Sequence, residues 1–250
     1  MRVTGRVVAD IRRSMTQTDW AVLDTVDRVK VTSAGQLRRL HWPDPSQART
    51  ARRRLQRLTD LRVTSRLDRR VGGVRAGSDG HIYRIDVTGR RLLGQSPGRR
   101  PHTPGTAFLD HQLAATEVYV QATEVSRSDT VEITEFTVEP TCWRRWGTGI
   151  LKPDAYLVTV TPEFEDHWFI EVDRATESTT TISTKAAVYE RYRRTGIEQE
   201  QSGVFPRVLW IVPDERRKAQ LVDALSRRSA EDWQLHQIIT DSELSNIFKP

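Results

Sequence analysis

The chain has 250 residues, 37% hydrophobic and 29% charged, a balance that suits one large or two small globular domains and excludes disorder. It has no apolar run near the ~20 residues of a membrane span, no apolar signal-peptide core at its start, and a single cysteine, Cys142, which excludes a disulfide framework or a Cys-rich zinc site. The net charge of +6 is unevenly spread, with 23 Lys+Arg against 9 Asp+Glu in residues 1–100 (net +14) and 16 against 24 in residues 101–250 (net −8), so the two halves should face different partners.

In chain order, residues 17–29 (QTDWAVLDTVDRV) predict a helix with Thr18 as N-cap and Trp20, Leu23 and Val26 on one face. Ser33 opens a second helix with Leu37 and Leu40 spaced for burial. After Trp42-Pro43-Asp44-Pro45, Ser46 caps a third helix over 47–60, with Ala48, Ala51, Leu55 and Leu58 as its apolar stripe. Two strand-like stretches follow, 62–67 and 80–87, around a Gly-rich turn. Three helices and a hairpin form the order of a winged helix-turn-helix.

The face of the third helix opposite its stripe carries Arg49, Arg53, Arg54 and Arg57, with Arg52 at the edge. Such a face suits the major groove, where Arg bonds guanine bidentately and Gln47 or Gln56 could meet adenine. Arg66, Arg69, Arg70 and Arg75 make the expected wing basic as well. A charge run alone is ordinarily a solvated helix face. Here the third-helix position and the basic wing point instead to double-stranded DNA as partner, for which a homodimer on a palindrome is a natural arrangement. Thirty-four of the 39 basic residues are Arg. Codon composition alone can produce that bias, so the weight falls on the charge asymmetry. The expected compartment is the cytoplasm, without membrane insertion.

Residues 94–107 (GQSPGRRPHTPGTA) hold three prolines and three glycines and coincide with the change of charge sign. The expected domains are therefore 1–101 and 102–250. The second predicts a helix over 108–123, strands at 130–138, 155–161 and 167–173, a helix over 178–194, a strand at 207–212, a helix over 214–228 and a strand at 235–240. RVLWIV at 207–212 is apolar nearly throughout, as a strand buried on both faces should be. The expected class is α/β (α+β overall), with a mixed β-sheet flanked by helices in the second domain.

Leu151-Lys152-Pro153-Asp154 leads into one strand, and Phe169-Ile170-Glu171-Val172-Asp173 ends the next. Glu171 and Asp173 share a strand face, so three acids should converge with Asp154. Close carboxylates repel, and a hard divalent cation, Mg²⁺ or Mn²⁺, would relieve them and could orient a water on a phosphodiester. For any random pair of acids, a strand-end cap and a salt-bridge partner would be the ordinary reading.

This order resembles the PD-(D/E)XK nuclease core, the fold of restriction endonucleases. The resemblance implies Asp154, Glu171, Asp173 and Lys185 as the catalytic set and Glu117, Asp154 and Glu171 as metal ligands. Asp173 stands where the pattern has Lys, and Lys185 on the following helix could supply that charge from a migrated position. The chain also resembles the replication-relaxation family over roughly 15–215. The residues that carry this are Leu55–Leu58, Tyr83–Gly89, His111–Glu117, Leu151–Asp154, Glu171–Thr176, and Lys185 with Tyr189 and Tyr192. That resemblance implies a role in the replication or transfer of a plasmid or mobile element.

Tyr189 and Tyr192 share a helix face. Tyr192 could be a nucleophile, although packing or hydrogen bonding at the sheet is the plainer role for both. Trp143 and Trp146, beside Arg144 and Arg145, could stack on unpaired bases or pack on the sheet. His111 reads as a cap or core histidine, and Cys142 has no evident partner. Two functions stand: a DNA-binding, metal-dependent nickase or nuclease, and a non-catalytic DNA-binding replication factor or transcription regulator whose acidic second domain mediates dimerisation or docking.

Overall fold

The computed structural model describes residues 3–70, 80–96, 105–128 and 131–248. The chain divides into two units, Met1–Val120 and Gln121–Pro250.

The first unit opens with α1 (Gly5–Ser14) and α2 (Gln17–Val29). α2 covers the expected residues 17–29, but its cap is Thr16, two residues before the expected Thr18. The Thr16 hydroxyl accepts from the Asp19 N–H at 3.2 Å while the Asp19 carboxylate accepts from the Thr16 N–H at 3.0 Å, a reciprocal capping box. Ser33 caps as expected. It ends β1 (Thr32–Ser33) and starts α3 (Ala34–His41) through a second box with Gln36. A 3-10 turn at Pro45–Gln47, capped by Asp44, leads into α4 (Ala48–Asp60), whose Ala51, Leu55 and Leu58 are buried. The pair β2 (Thr64–Arg70) and β3 (His81–Ile85) is antiparallel, and β1 joins it to give the order β1-β3-β2. β3 ends earlier than the expected residue 87, because Asp86 caps α5 (Val87–Leu92) by accepting from the Val87 N–H at 2.6 Å. Arg75 lies outside the described residues.

The core of this unit joins Val22, Leu23 and Val26 of α2, Leu37 of α3, Leu55 and Leu58 of α4 and Tyr83 of β3. α5 approaches it so closely that a Cβ on Gly89 would stand 2.3 Å from the Val63 carbonyl oxygen, which requires glycine there.

The division between units falls inside α6 (Thr106–Ser128), not at the Pro/Gly-rich stretch near 102. The reason is packing. Leu109 and Leu113 bury against Val31, Leu67 and Ile82 of the first unit. The Leu113 carbonyl accepts from the Gln36 amide at 2.9 Å, and the Thr116 hydroxyl donates to the Val31 carbonyl at 2.7 Å.

The second unit continues with β4 (Glu132–Val138), a two-stranded ribbon of β5 (Arg144–Trp146) and β6 (Gly149–Leu151), then β7 (Ala155–Val160) and β8 (Glu165–Val172). There follow α7 (Thr179–Arg193), α8 (Ile197–Ser202), β9 (Arg207–Val212), α9 (Glu215–Leu225), α10 (Ala230–Trp233), β10 (His236–Thr240) and α11 (Leu244–Ile247). The sheet order is β10-β9-β8-β7-β4. β10, β9 and β8 run parallel, and β7 is antiparallel to both β8 and β4. Val208 to Val212 of β9 are all buried, as its apolar sequence requires. One sheet face (Tyr156, Val158, Phe169, Val208, Trp210) packs under Ile182, Ala186 and Tyr189 of α7 and Leu221 and Leu225 of α9. The architecture is mixed α/β, with helices against a mixed sheet. Among the described residues, no helix is long and apolar enough to cross a membrane.

If the first half of α6 belongs to the first unit's core, Leu109→Ala removes a side chain that is 1% exposed and leaves a cavity. The expected loss is about 2–5 kcal/mol of unfolding free energy, read as a lower urea midpoint at unchanged slope.

Candidate functional site

The antiparallel register of β7 and β8 pairs Ala155 with Ile170 and Tyr156 with Phe169. One step further along that ladder, Asp154 stands opposite Glu171, at the end of β8, where Trp210 of β9 lies beside Glu171 on the other side. The Asp154 N–H donates to the Ile170 carbonyl at 3.0 Å, and the Val172 N–H donates to Asp154 Oδ2 at 2.7 Å. Both acids are buried, Asp154 at 6% exposure and Glu171 at 3%.

α7 completes the site. Ser178 caps it, accepting from the Thr181 N–H at 3.1 Å. Lys185 and Tyr189 follow four residues apart, on one face. The Tyr189 hydroxyl donates to Glu171 Oε1 at 2.6 Å, and the Lys185 ammonium donates to Glu171 Oε2 at 3.3 Å. The same ammonium lies 3.0 Å from Glu177 Oε2. The structure thus brings Lys185 to Glu171, and it adds Tyr189 and Glu177, which sequence reasoning did not place at the site. The four-residue spacing of Lys185 and Tyr189 was the available signal.

Burial and then the Asp154 charge push the Glu171 carboxyl up, to about 8, against the opposing pull of Lys185 and Tyr189. Burial alone would lower Lys185, but the Glu171 and Asp154 carboxylates reverse this and raise it. Burial, reinforced by Glu171, raises the Tyr189 hydroxyl well above its ordinary range, so it remains a donor.

The third expected acid is directed elsewhere. Asp173 Oδ2 accepts from Arg217 Nε at 2.5 Å, and its Oδ1 accepts from the Ala175 N–H at 2.8 Å. Its ion-pair partner is Arg217 of α9. The expected convergence of three acids therefore reduces to two, because Asp173 is neutralised by a guanidinium from α9. Glu117, expected at the metal, belongs to the first unit's hydrogen bonding. Its Oε1 pairs with Arg39 at 2.5 Å and its Oε2 accepts from Gln36 at 3.1 Å. Among the described residues, no group of three or more His, Cys, Asp or Glu is arranged to hold a metal ion. Asp154 and Glu171 still fit Mg²⁺ or Mn²⁺ as donors. They are hard, opposed carboxylates, and such cations commonly take one or two protein carboxylates and fill the remaining positions with water and phosphate oxygens.

The neighbouring candidates have structural roles. Tyr192 is 1% exposed and donates to Glu198 at 2.6 Å, so it is no accessible nucleophile. Trp146 packs on Tyr192 with ring centroids 5.0 Å apart, and Lys152 Nζ lies 4.8 Å from the centre of the Trp143 ring. Cys142 is buried, its thiol donating to the Pro153 carbonyl at 3.0 Å and pushed up to about 12 by burial and then by Asp154.

In the first unit the α4 arginines divide into two sets. Arg57 donates to Asp19 Oδ2 at 3.0 Å and to the Ser14 carbonyl and hydroxyl, and Arg54 lies 3.6 Å from Asp19. These two bind α4 to the capping box of α2. Arg49, Arg52 and Arg53 point outward and are exposed. Arg52, Arg53 and Gln56 line a cavity of about 370 Å³ with Arg66, His81 and Tyr83 of the hairpin. Arg66 is held there by bonds to the Tyr83 hydroxyl at 3.1 Å and Gln56 Oε1 at 2.6 Å. Arg69 and Arg70 end β2, and their side chains lie outside those the structure describes.

The chain is thus a two-unit α/β protein in which an arginine-faced helix bundle precedes a mixed sheet with a buried acid pair at its strand ends. A family model described as replication-relaxation matches residues 23–208, about three-quarters of the chain. The chain belongs to the replication-relaxation family. No protein of curated function matches it. Among solved structures, restriction endonuclease FokI bound to DNA is similar at 12% identity and a TM-score of 0.28, over 98% of this chain. The chain spans 45% of that protein's length.

Glu171 also gives a pH signature. Its folded pKa is raised, so its contribution to stability is complete below the ordinary carboxylate range and is lost as pH rises through about 8. Lys185 stays charged across that window. Between pH 6 and pH 9 the thermal midpoint of the wild type should fall relative to that of Glu171→Gln, measured by circular dichroism.

Proposed function

We propose that this protein is a DNA-binding nickase or nuclease of a plasmid or mobile element, acting in replication or transfer. Membership of the replication-relaxation family fits a replication-related role. The observation that carries the chemistry is the buried Asp154–Glu171 pair with Lys185 Nζ 3.3 Å from Glu171. In this reading it supplies the acid, acid and ammonium set of a PD-(D/E)XK site, with the lysine moved to α7.

In this reading the first unit is a winged helix-turn-helix. The outward Arg49, Arg52 and Arg53 of α4 meet duplex DNA, with Arg66 and the hairpin alongside. Arg57 and Arg54 hold the reading helix in place. Asp154 and Glu171 would hold Mg²⁺ or Mn²⁺, which supplies Lewis-acid stabilisation of a phosphodiester and an activated water when bound. Tyr189 fixes the Glu171 carboxylate by bonding one oxygen and leaves the other toward Lys185. Lys185 sets a positive charge beside the acids, where charge on a substrate phosphate would grow.

One observation favours the non-catalytic alternative. Both oxygens of Glu171 already have internal donors, and Asp173 stands at the lysine position. A protein that had lost cleavage could keep such a pair as a structural element and bind DNA alone.

Supercoiled plasmid carrying the protein's native element, incubated with Mg²⁺, Mn²⁺ or EDTA, separates the two readings. The expected result is metal-dependent nicking, lowered on the order of a hundredfold or more in Asp154→Ala and Glu171→Ala. DNA affinity should be unchanged in both. Arg53→Ala should instead weaken binding and reduce its salt slope by about 1. Salt-sensitive binding without cleavage in either metal selects the non-catalytic reading.

A further inference from the structure

The nuclease pattern calls for lysine two residues beyond the glutamate, and this chain has Asp173. We propose that Asp173, Arg217 and Glu177 form a positioning relay that sets the Lys185 ammonium against Glu171. The aspartate at the lysine position then serves the displaced lysine from a distance. What Lys185 does in catalysis rests on the function proposed above, whereas the relay itself is a statement about how Lys185 is held.

The relay begins at the first turn of α9. Asp214 caps that helix by accepting from the Arg217 N–H at 2.8 Å, which fixes the Arg217 backbone. The side chain is buried at 7% exposure and points back under the loop that joins β8 to α7. Its Nε bonds Asp173 Oδ2 at 2.5 Å and its Nη2 bonds the Glu177 carbonyl at 2.7 Å. One planar guanidinium therefore pins the loop at both ends, which a lysine's point charge could not do with the same geometry.

Between the pins the loop makes a tight bend. Ala175 has φ 56°, in the left-handed region that L-residues with a Cβ disfavour. The bend persists because Asp173 Oδ1 accepts from the Ala175 N–H at 2.8 Å while Arg217 holds the same carboxylate. Glu177 emerges from this bend with Oε2 3.0 Å from Lys185 Nζ. The Lys185 side chain is 35% exposed. Such a side chain has several rotamers open to it, and two carboxylates select the one that faces Glu171. An ammonium has three N–H donors. Two are engaged by Glu171 and Glu177, which leaves one for a substrate oxygen.

The relay is tested by proximity, independently of cleavage. The full-length protein is treated with a water-soluble carbodiimide, which joins amines to carboxylates in contact, and the links are mapped by peptide mass spectrometry. The wild type should form a Lys185–Glu177 link. Its yield should fall severalfold in Arg217→Met and in Asp173→Asn, and by less in Arg217→Lys, which keeps a charge beside Asp173 but not the second bond to the Glu177 carbonyl. The Lys30–Asp27 pair, 3.4 Å apart in the first unit, is the internal control. Near-ultraviolet dichroism reports whether each variant is folded, and Asp173→Asn carries the test if Arg217→Met is not.

If plasmid cleavage is observed, Glu177→Gln should lower kcat with KM for DNA unchanged, and should add nothing in a Lys185→Gln background. An unchanged Lys185–Glu177 yield in folded Arg217→Met and Asp173→Asn would overturn the relay. Loss of the link in both variants of a protein that never cuts DNA would uphold the relay and discard the nuclease.

Discussion

A carboxyl group buried at the end of a central strand is a standing electrostatic cost, and the chemistry of the second unit is organised around Glu171. Removing an ionised carboxylate from water costs several kcal/mol unless partners replace the solvent. A second acid, Asp154, stands directly across the ladder and makes the charged form less favourable still. Tyr189 and Lys185 partly offset this from one face of α7. A leucine at 171 would have packed with the neighbouring Phe169 and Trp210 at no such cost. This costly like-charge pair is the feature on which the proposed cation site rests.

Elsewhere the same sequence uses charge for construction. Asp19 is almost fully buried, closes the capping box of α2, and draws in Arg57 and Arg54 from α4. The arginine face of α4 therefore serves two ends. Its edge toward α2 fixes the helix, and its outer edge, Arg49, Arg52 and Arg53, stays exposed. Asp173 and Arg217 repeat the device in the second unit, where a buried ion pair holds a loop in a backbone conformation it would not otherwise keep.

Much of this was legible because local pattern and tertiary role agree. RVLWIV reads as a doubly buried strand and is one, and Ser33 reads as a cap and caps. The Pro-Asp strand and the Glu-ending strand are neighbours in the sheet, as their order suggested. The misreadings come from interactions with no local signature. α1 was not foreseen because Ile11 is its one buried residue and its other positions are largely basic or half-buried. Composition marks irregular chain at the Pro/Gly-rich stretch, whereas the division into units follows what Leu109 and Leu113 pack against. Alternation along a strand puts Glu171 and Asp173 on one face. It gives no sign that a guanidinium 44 residues later claims Asp173 while α7 claims Glu171. Glu117 likewise has the right position for a helix acid of the nuclease pattern, yet Arg39 and Gln36 hold it.

The central claim is that Asp154 and Glu171 form a divalent-cation site rather than a buried structural pair. Its most direct test is to diffuse Mn²⁺ into crystals of the protein with duplex DNA, above pH 8 so that Glu171 is ionised, and to locate the metal by anomalous scattering. The account predicts a peak within bonding distance of one oxygen each of Asp154 and Glu171, with the Lys185 ammonium beside it. Mn²⁺ bound elsewhere, or no peak between the two carboxylates while Lys185 and Tyr189 keep their bonds to Glu171, would contradict it.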